Sequence, residues 1–300
     1  MNKLLSCTYS LLLLSFPLLC QEDNLKDILE PGAKIEKLAG AFSFTEGPTA
    51  DKKGNVYFTD QPNDRIYLWN EKTHLSIFME SAGRSNGLAL DAEGNIWSCA
   101  DGKNELLRIS PDKKIEVIAG SYEGKLFNGP NDLWITPSGG VYFTDPFYRR
   151  EWWSHKEMPQ EKQCVYYLKP DHKSIIIVAD DLLQPNGIVG TPDGKNLYVA
   201  DIRGGKTWAY TINADGSLTN KRLFCEMGSD GMTIDSKGNL YLTGKGVTVF
   251  DKTGKKLGNI PVPENWSANV CFGGKNRKIL FITASKGFYQ IRLKVRGTSG

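Results

Sequence analysis

One unit recurs six times along this chain, and repetition of that kind admits only architectures that stack or ring near-identical modules. Residues 51–60 read DKKGNVYFTD, 91–100 read DAEGNIWSCA and 136–145 read TPSGGVYFTD. Further copies stand at 191–201 (TPDGKNLYVAD), 235–244 (DSKGNLYLTG) and, more degenerate, 273–283 (GGKNRKILFIT). Gly and Asn supply the positive φ of a tight hairpin turn, and the β-branched and aromatic residues after them suit a pleated, half-buried strand. In the second copy the pattern runs on through 105–110 and 114–119. That makes four antiparallel strands in about 40 residues, the size of a propeller blade.

The sixth copy has only three strands before the chain ends. A spare strand stands at the other terminus, where residues 34–40 (KIEKLAG) match 114–120 (KIEVIAG), the last strand of the second copy. Pairing it with the final repeat would close the ring and cover two open sheet edges. The expected fold is therefore all-β, a six-bladed β-propeller closed by an N-terminal strand pairing with the last blade. The expected division is a signal peptide at 1–20, a linker at 21–33, the propeller at 34–296 and a tail at 297–300. A solenoid or two sandwiches would leave the displaced strand unexplained.

In the leader, Lys3 precedes an apolar run from Leu4 to Leu19, with polar residues following from Gln21. Its core, Leu11 to Leu19, is too short to span a bilayer of about 30 Å, so an export signal and a periplasmic or secreted location are expected. Lipid anchoring at Cys20 is the lesser alternative, because Leu19 fills a place that normally needs a small residue. Beyond the leader, Cys99, Cys164, Cys225 and Cys271 are widely spaced and form no C-x-x-C pair, which suits buried free thiols better than a disulfide framework. With 37 basic and 34 acidic residues, the net charge of +3 lacks the basic field of a nucleic-acid binder.

Eight positions before the turn glycines Gly54, Gly94, Gly139, Gly194 and Gly238 stand Glu46, Asn86, Asn131, Asn186 and Asp230, and Asn269 holds the related place in the sixth copy. Repeats superpose, so a shared offset implies a shared location, and these polar heads should converge on the propeller axis. Two carboxylates with several amides make a hard-oxygen set suited to Ca²⁺, Mg²⁺ or Mn²⁺. None of the three histidines, His74, His155 and His172, lies at a metal-ligand spacing. The competing reading is local turn chemistry, since Asn or Asp before Gly commonly satisfies nearby backbone groups. It applies best to Asn86 and Asn269 and least to the charged Glu46 and Asp230.

The motifs Thr45 to Pro48 (TEGP), Gly129 to Leu133 (GPNDL), Tyr142 to Pro146 (YFTDP), Pro185 to Gly187 (PNG) and Ser229 to Met232 (SDGM) occur in order. The combination resembles the SMP-30/gluconolactonase family over about residues 35–295. That resemblance implies a six-bladed propeller holding a divalent cation, usually Ca²⁺, with Mg²⁺, Mn²⁺ or Zn²⁺ as alternatives. It implies an enzyme that opens lactones of sugar acids. It places Glu46, Asn186 and Asp230 on the metal, Asn131 on the metal or the substrate, and Asp230 as general base. The family's substrate-holding arginine, two residues before the third-blade asparagine, is replaced here by Gly129, which leaves sugar specificity open.

The third repeat carries an extension, Pro146 to Gln163, rich in aromatic and basic residues. It is expected to form a lid, with Trp152, Trp153 and His155, together with Asn86 and Asn131, as candidate substrate contacts; packing of the tryptophans is the alternative. Residues 83–87 (GRSNG) match the nucleophile elbow G-x-S-x-G, but Ser85 lies in the repeat rather than at a strand-to-helix turn, so it is rejected as a nucleophile. The expected activity is metal-assisted lactone hydrolysis by a monomer or weak dimer. The rivals are phosphotriester hydrolysis at the same ion and a non-enzymatic propeller that binds carbohydrate or protein.

Overall fold

Each repeat folds through the same local chemistry. In the first, Asp51 Oδ1 accepts from the Lys53 and Asn55 amides at 2.8 and 2.9 Å, shaping a turn in which Gly54 adopts φ of 87°. Asp91, Asp235 and Asp251 repeat the device with the amide four residues on. Short aspartate side chains thus satisfy backbone donors that the hairpin leaves free.

The computed structural model describes residues 24–298, so the signal peptide expected at residues 1–20 lies outside the described residues. Among the described residues the hairpins assemble into six four-stranded antiparallel sheets. Their innermost strands are Thr45–Ala50, Ser85–Leu90, Leu133–Ile135, Pro185–Gly190, Met232–Ile234 and Ser267–Gly273. Each contacts the next around a ring, and the first contacts the last. In the sixth sheet Gly287–Arg292 pairs antiparallel with Glu36–Gly40, Glu36 standing opposite Gln290 and Gly40 opposite Gly287. The N-terminal strand is thereby the outermost strand of the last blade.

A sheet that is apolar on both faces must bury them against its neighbours, and here each gap between blades holds one apolar core. Phe58 of the first blade stacks on Phe288 of the last with ring centroids 4.2 Å apart. Trp97 and Cys99 of the second blade share a core with Phe143 and Tyr166 of the third. Burial falls from the inner strands outward: Ser267–Gly273 is buried throughout, whereas Ile115 and Val117 on an outer strand are exposed. Cys99, Cys164, Cys225 and Cys271 are all buried and unpaired.

At both ends of the described residues the chain packs against the propeller. Within 21–33, Leu25 and Ile28 sit in the core between the fifth and sixth blades, and Leu29 bridges to Leu293. In the tail, Gly297 donates its amide to Arg277 O at 2.8 Å and bridges to Asp235. Apolar side chains supply the first of these contacts and backbone groups the second.

Candidate active site

The inner strands deliver their lead residues by a shared irregularity. The register breaks between Glu46 and Thr49, Ser85 and Leu88, Pro185 and Ile188, and Ser267 and Asn269. A bulge of this kind re-aims a side chain relative to the regular pleat. Behind them, the buried hydroxyls of Thr59, Thr144, Thr243 and Thr283 bond the local backbone. Thr59 Oγ1 donates to Asn86 O at 3.1 Å, and Thr243 Oγ1 accepts from Gly231 N at 2.8 Å.

The glycine that follows four of the six lead residues, Gly47, Gly87, Gly187 and Gly231, is a packing requirement between blades. A Cβ at Gly47 would fall 2.0 Å from Asn86 O, and one at Gly231 would fall 2.0 Å from Asn269 Cγ. Only glycine lets successive inner strands approach this closely. The close approach also forms backbone bonds from Gly87 N to Asn131 O at 2.8 Å and from Gly231 N to Ala268 O at 2.7 Å.

Lead residues from several blades meet. Asn186 Nδ2 donates to Asp230 Oδ1 at 2.9 Å, while Trp266 Nε1 donates to Asp230 Oδ2 at 2.6 Å. Asn269 Nδ2 donates to Asp132 Oδ2 at 3.3 Å. Glu46 is 3% exposed, and its Oε2 accepts from Gly47 N at 2.8 Å. Burial pushes its carboxyl well above the usual range, and the charges of Asp230 and Asp132 push it further. Burial also raises Asp230, against the pull of its Trp266 and Asn186 donors, and raises Asp132 to about 7. Three carboxylates that feel one another in a desolvated channel are poorly compensated by protein groups alone.

This environment fits a divalent cation. The Oδ1 atom of Asn86 is buried without a hydrogen-bond partner among the described residues, and Asn131 is buried at the adjoining lead position. Asn186 spends its nitrogen on Asp230 and on Tyr148 Oη, at 2.8 Å, leaving its carbonyl oxygen for a ligand. No three His, Cys, Asp or Glu side chains among the described residues form a metal cage by themselves. Amide oxygens must therefore complete any ring, a donor mixture that suits hard cations.

The insert from Pro146 to Gln163 lies against the second blade. Trp152 and Trp153 both donate their indole N–H to Asp101 O, the first at 3.3 Å. Trp153 is 5% exposed and stacks on His155 at 4.8 Å. These two rings pack within the insert, and His155 Nε2 is buried without a partner. Ser85 is occupied structurally, donating to Ala82 O and accepting from Ser98 Oγ, both at 2.6 Å.

Four residues with contacts here were not singled out from the sequence: Asp132, Tyr148, Trp266 and Asp101. Asp132 directly follows the lead residue Asn131, and Tyr148 sits in the aromatic insert, so both lay close to a readable signal. Trp266 precedes the last inner strand with nothing in the repeat to mark it.

The sequence profile of the SMP-30/gluconolactonase/LRE-like region matches residues 44–286. A gluconolactonase from Zymomonas mobilis is 32% identical over 305 aligned positions, which span 91% of this chain and 85% of the relative. A solved gluconolactonase from Xanthomonas campestris, 29% identical, superposes with a TM-score of 0.83 over 90% of this chain and 92% of its own. The structure of a calcium-binding protein, regucalcin, from Agrobacterium tumefaciens is 18% identical with a TM-score of 0.73, covering 87% of this chain and 96% of that one, a likeness of fold.

Proposed function

This chain belongs to the SMP-30/gluconolactonase/LRE-like family, and we propose that within it the protein is a divalent-metal-dependent hydrolase of sugar-acid lactones. The observation that carries this reading is the buried cluster in which the Glu46 and Asp230 carboxylates oppose each other while Asn186 donates to Asp230. Glu46, Asn131, Asn186 and Asp230 would hold the ion, with Ca²⁺ first among the candidates. When bound, a divalent cation there supplies Lewis acidity toward a carbonyl oxygen and neutralises developing negative charge.

The chain's own residues do the proton work. Asp230 accepts a proton from the water that attacks the lactone carbonyl, and returns it to the ring oxygen as the C–O bond breaks. Asn186 and Trp266 hold the two Asp230 oxygens in place for that transfer. Asn86, whose buried Oδ1 has no partner among the described residues, and buried Asn131 are the adjacent groups able to bind substrate hydroxyls or the ion. The leader at residues 1–20 supports export from the cytoplasm.

A pH-stat assay across a lactone panel, run before and after chelation, tests this function. Acid release that stops with chelator and resumes with added Ca²⁺ is expected. Hydrolysis unaffected by thorough chelation would refute the metal requirement.

A further inference from the structure

We propose that the Pro146 to Gln163 insert builds a cationic subsite beside the carboxylate ring, and that the preferred substrates are lactones bearing a carboxylate or phosphate. This rests on the lactonase reading above and narrows it to a substrate class.

Arg150 is the key residue. Its Nε donates to Asp101 Oδ2 at 2.7 Å, and Gln61 Nε2 donates to the same oxygen at 2.8 Å. Asp101 is available for this because it is displaced by one residue from its counterparts. Asp60 and Asp201 pair with Thr45 and Pro185, whereas Ala100 takes the equivalent place opposite Ser85. Asp60, Asp145 and Asp201 spend their carboxylates on backbone amides of the preceding loop. Asp101, 2% exposed, instead turns its carboxylate to Arg150.

A guanidinium carries five N–H donors in a planar fork. The Nη1 and Nη2 groups of Arg150 donate to no protein group among the described residues. Its central carbon lies 5.5 Å from the ring centroids of both Tyr148 and Trp152, and Arg84 sits 4.2 Å from the Trp152 ring. The fork is thus held in place with its outer edge unspent, the arrangement that grips a carboxylate or phosphate through two parallel bonds.

Arg150 lines a half-open surface depression of about 420 Å³ together with Arg149, Glu151 and Lys156. Three of the four lining side chains are cationic, in a chain whose net charge is only +3. Glu151 adds one acceptor, but the three cations make the lining net positive and rich in donors, which favours an anionic group over a neutral polyol. Tyr148 connects the subsite to the ring, since its Oη accepts from Asn186 Nδ2 at 2.8 Å. An anion held by Arg150 would therefore present the rest of its molecule to Asn186 and Asp230.

The test uses the full chain with saturating Ca²⁺ and three lactones of equal ring size: neutral, carboxylated and phosphorylated. At least one anionic lactone should show kcat/KM about tenfold above the neutral one, expressed mainly in KM and shrinking as salt is raised. Arg150→Gln should bring that ratio to within about twofold of unity, with Arg150→Lys in between. The Lys156→Gln variant, altered at an exposed position, should lower it several-fold, and the salt dependence of the wild type needs no variant. The two anionic substrates distinguish carboxylate from phosphate recognition. Preference for the neutral lactone, or an unchanged ratio in a folded Arg150→Gln protein, overturns the subsite and leaves the lactonase reading standing. If no lactone of any charge is hydrolysed, the reaction itself is misassigned and the subsite falls with it.

Discussion

Asn186 Nδ2 donates to Asp230 Oδ1 across 2.9 Å, joining the fourth and fifth blades through side chains 44 residues apart. The bond fixes the orientation of the amide and leaves its carbonyl oxygen out of that contact. An oxygen-rich face results from two blades at once, which neither blade could present alone.

Asp230→Asn should lower kcat on a responsive lactone by roughly 10²–10⁴-fold, the range for losing a general base. The metal-free variant should melt no earlier than the wild type, because a buried charge that opposes Glu46 has gone. Initial rates in a pH-stat and a thermal melt check both halves. Wild-type turnover in the variant would remove Asp230 from the mechanism.

Trp266→Phe removes the 2.6 Å donor to Asp230 Oδ2 while keeping an aromatic ring. A hydrogen bond to a charged group contributes about 1.5–3 kcal/mol, so kcat/KM should fall at least about tenfold. The indole is 38% exposed, and the melting temperature should move little. An equal loss of activity and stability would mean that Trp266 acts through the fold instead.

Burial raises Asp101 to about 6, although Arg150 pulls the other way. A folded-state value above the unfolded one means the contribution to stability is full below about pH 4 and is lost as pH rises through about 6. Asp101→Asn removes this titration. The melting temperature of the wild type minus that of the variant should therefore fall between about pH 4 and 7. A difference that stays flat, or rises with pH, would contradict this.

Cys99, Cys164, Cys225 and Cys271 are buried, and burial holds each thiol above its ordinary value. A thiol reagent should modify none of them until denaturant is added, and reductant should leave the melting temperature unchanged. Rapid labelling of any one in native buffer would show that its blade opens locally.

The fold was legible because a ring of repeats writes its period into the sequence. The turn glycines located Glu46, Asn86, Asn131, Asn186 and Asp230 through a single offset, and the displaced strand at 34–40 carried its own matching copy. The repeat could not disclose contacts made across it. Asp132 reaches Asn269 over 137 residues, and Trp266 reaches Asp230 from outside the repeated motif. Asp101 departs from the repeat by one position, a deviation present in the aligned copies whose consequence shows only in its contact with Arg150. The paired glycines misled in a milder way: Asn-Gly suggested turn chemistry, whereas Gly87 and Gly187 are needed where neighbouring strands nearly touch.

Titrating the chelator-treated protein with Ca²⁺, followed by tryptophan fluorescence, bears most directly on whether Glu46, Asn131, Asn186 and Asp230 jointly hold an ion. Trp266, bonded to Asp230, is the natural reporter. One saturable transition in the wild type, abolished in Glu46→Gln, is the expected result. Identical titrations for the two proteins, or lactone hydrolysis persisting in chelator with no transition at all, would contradict it.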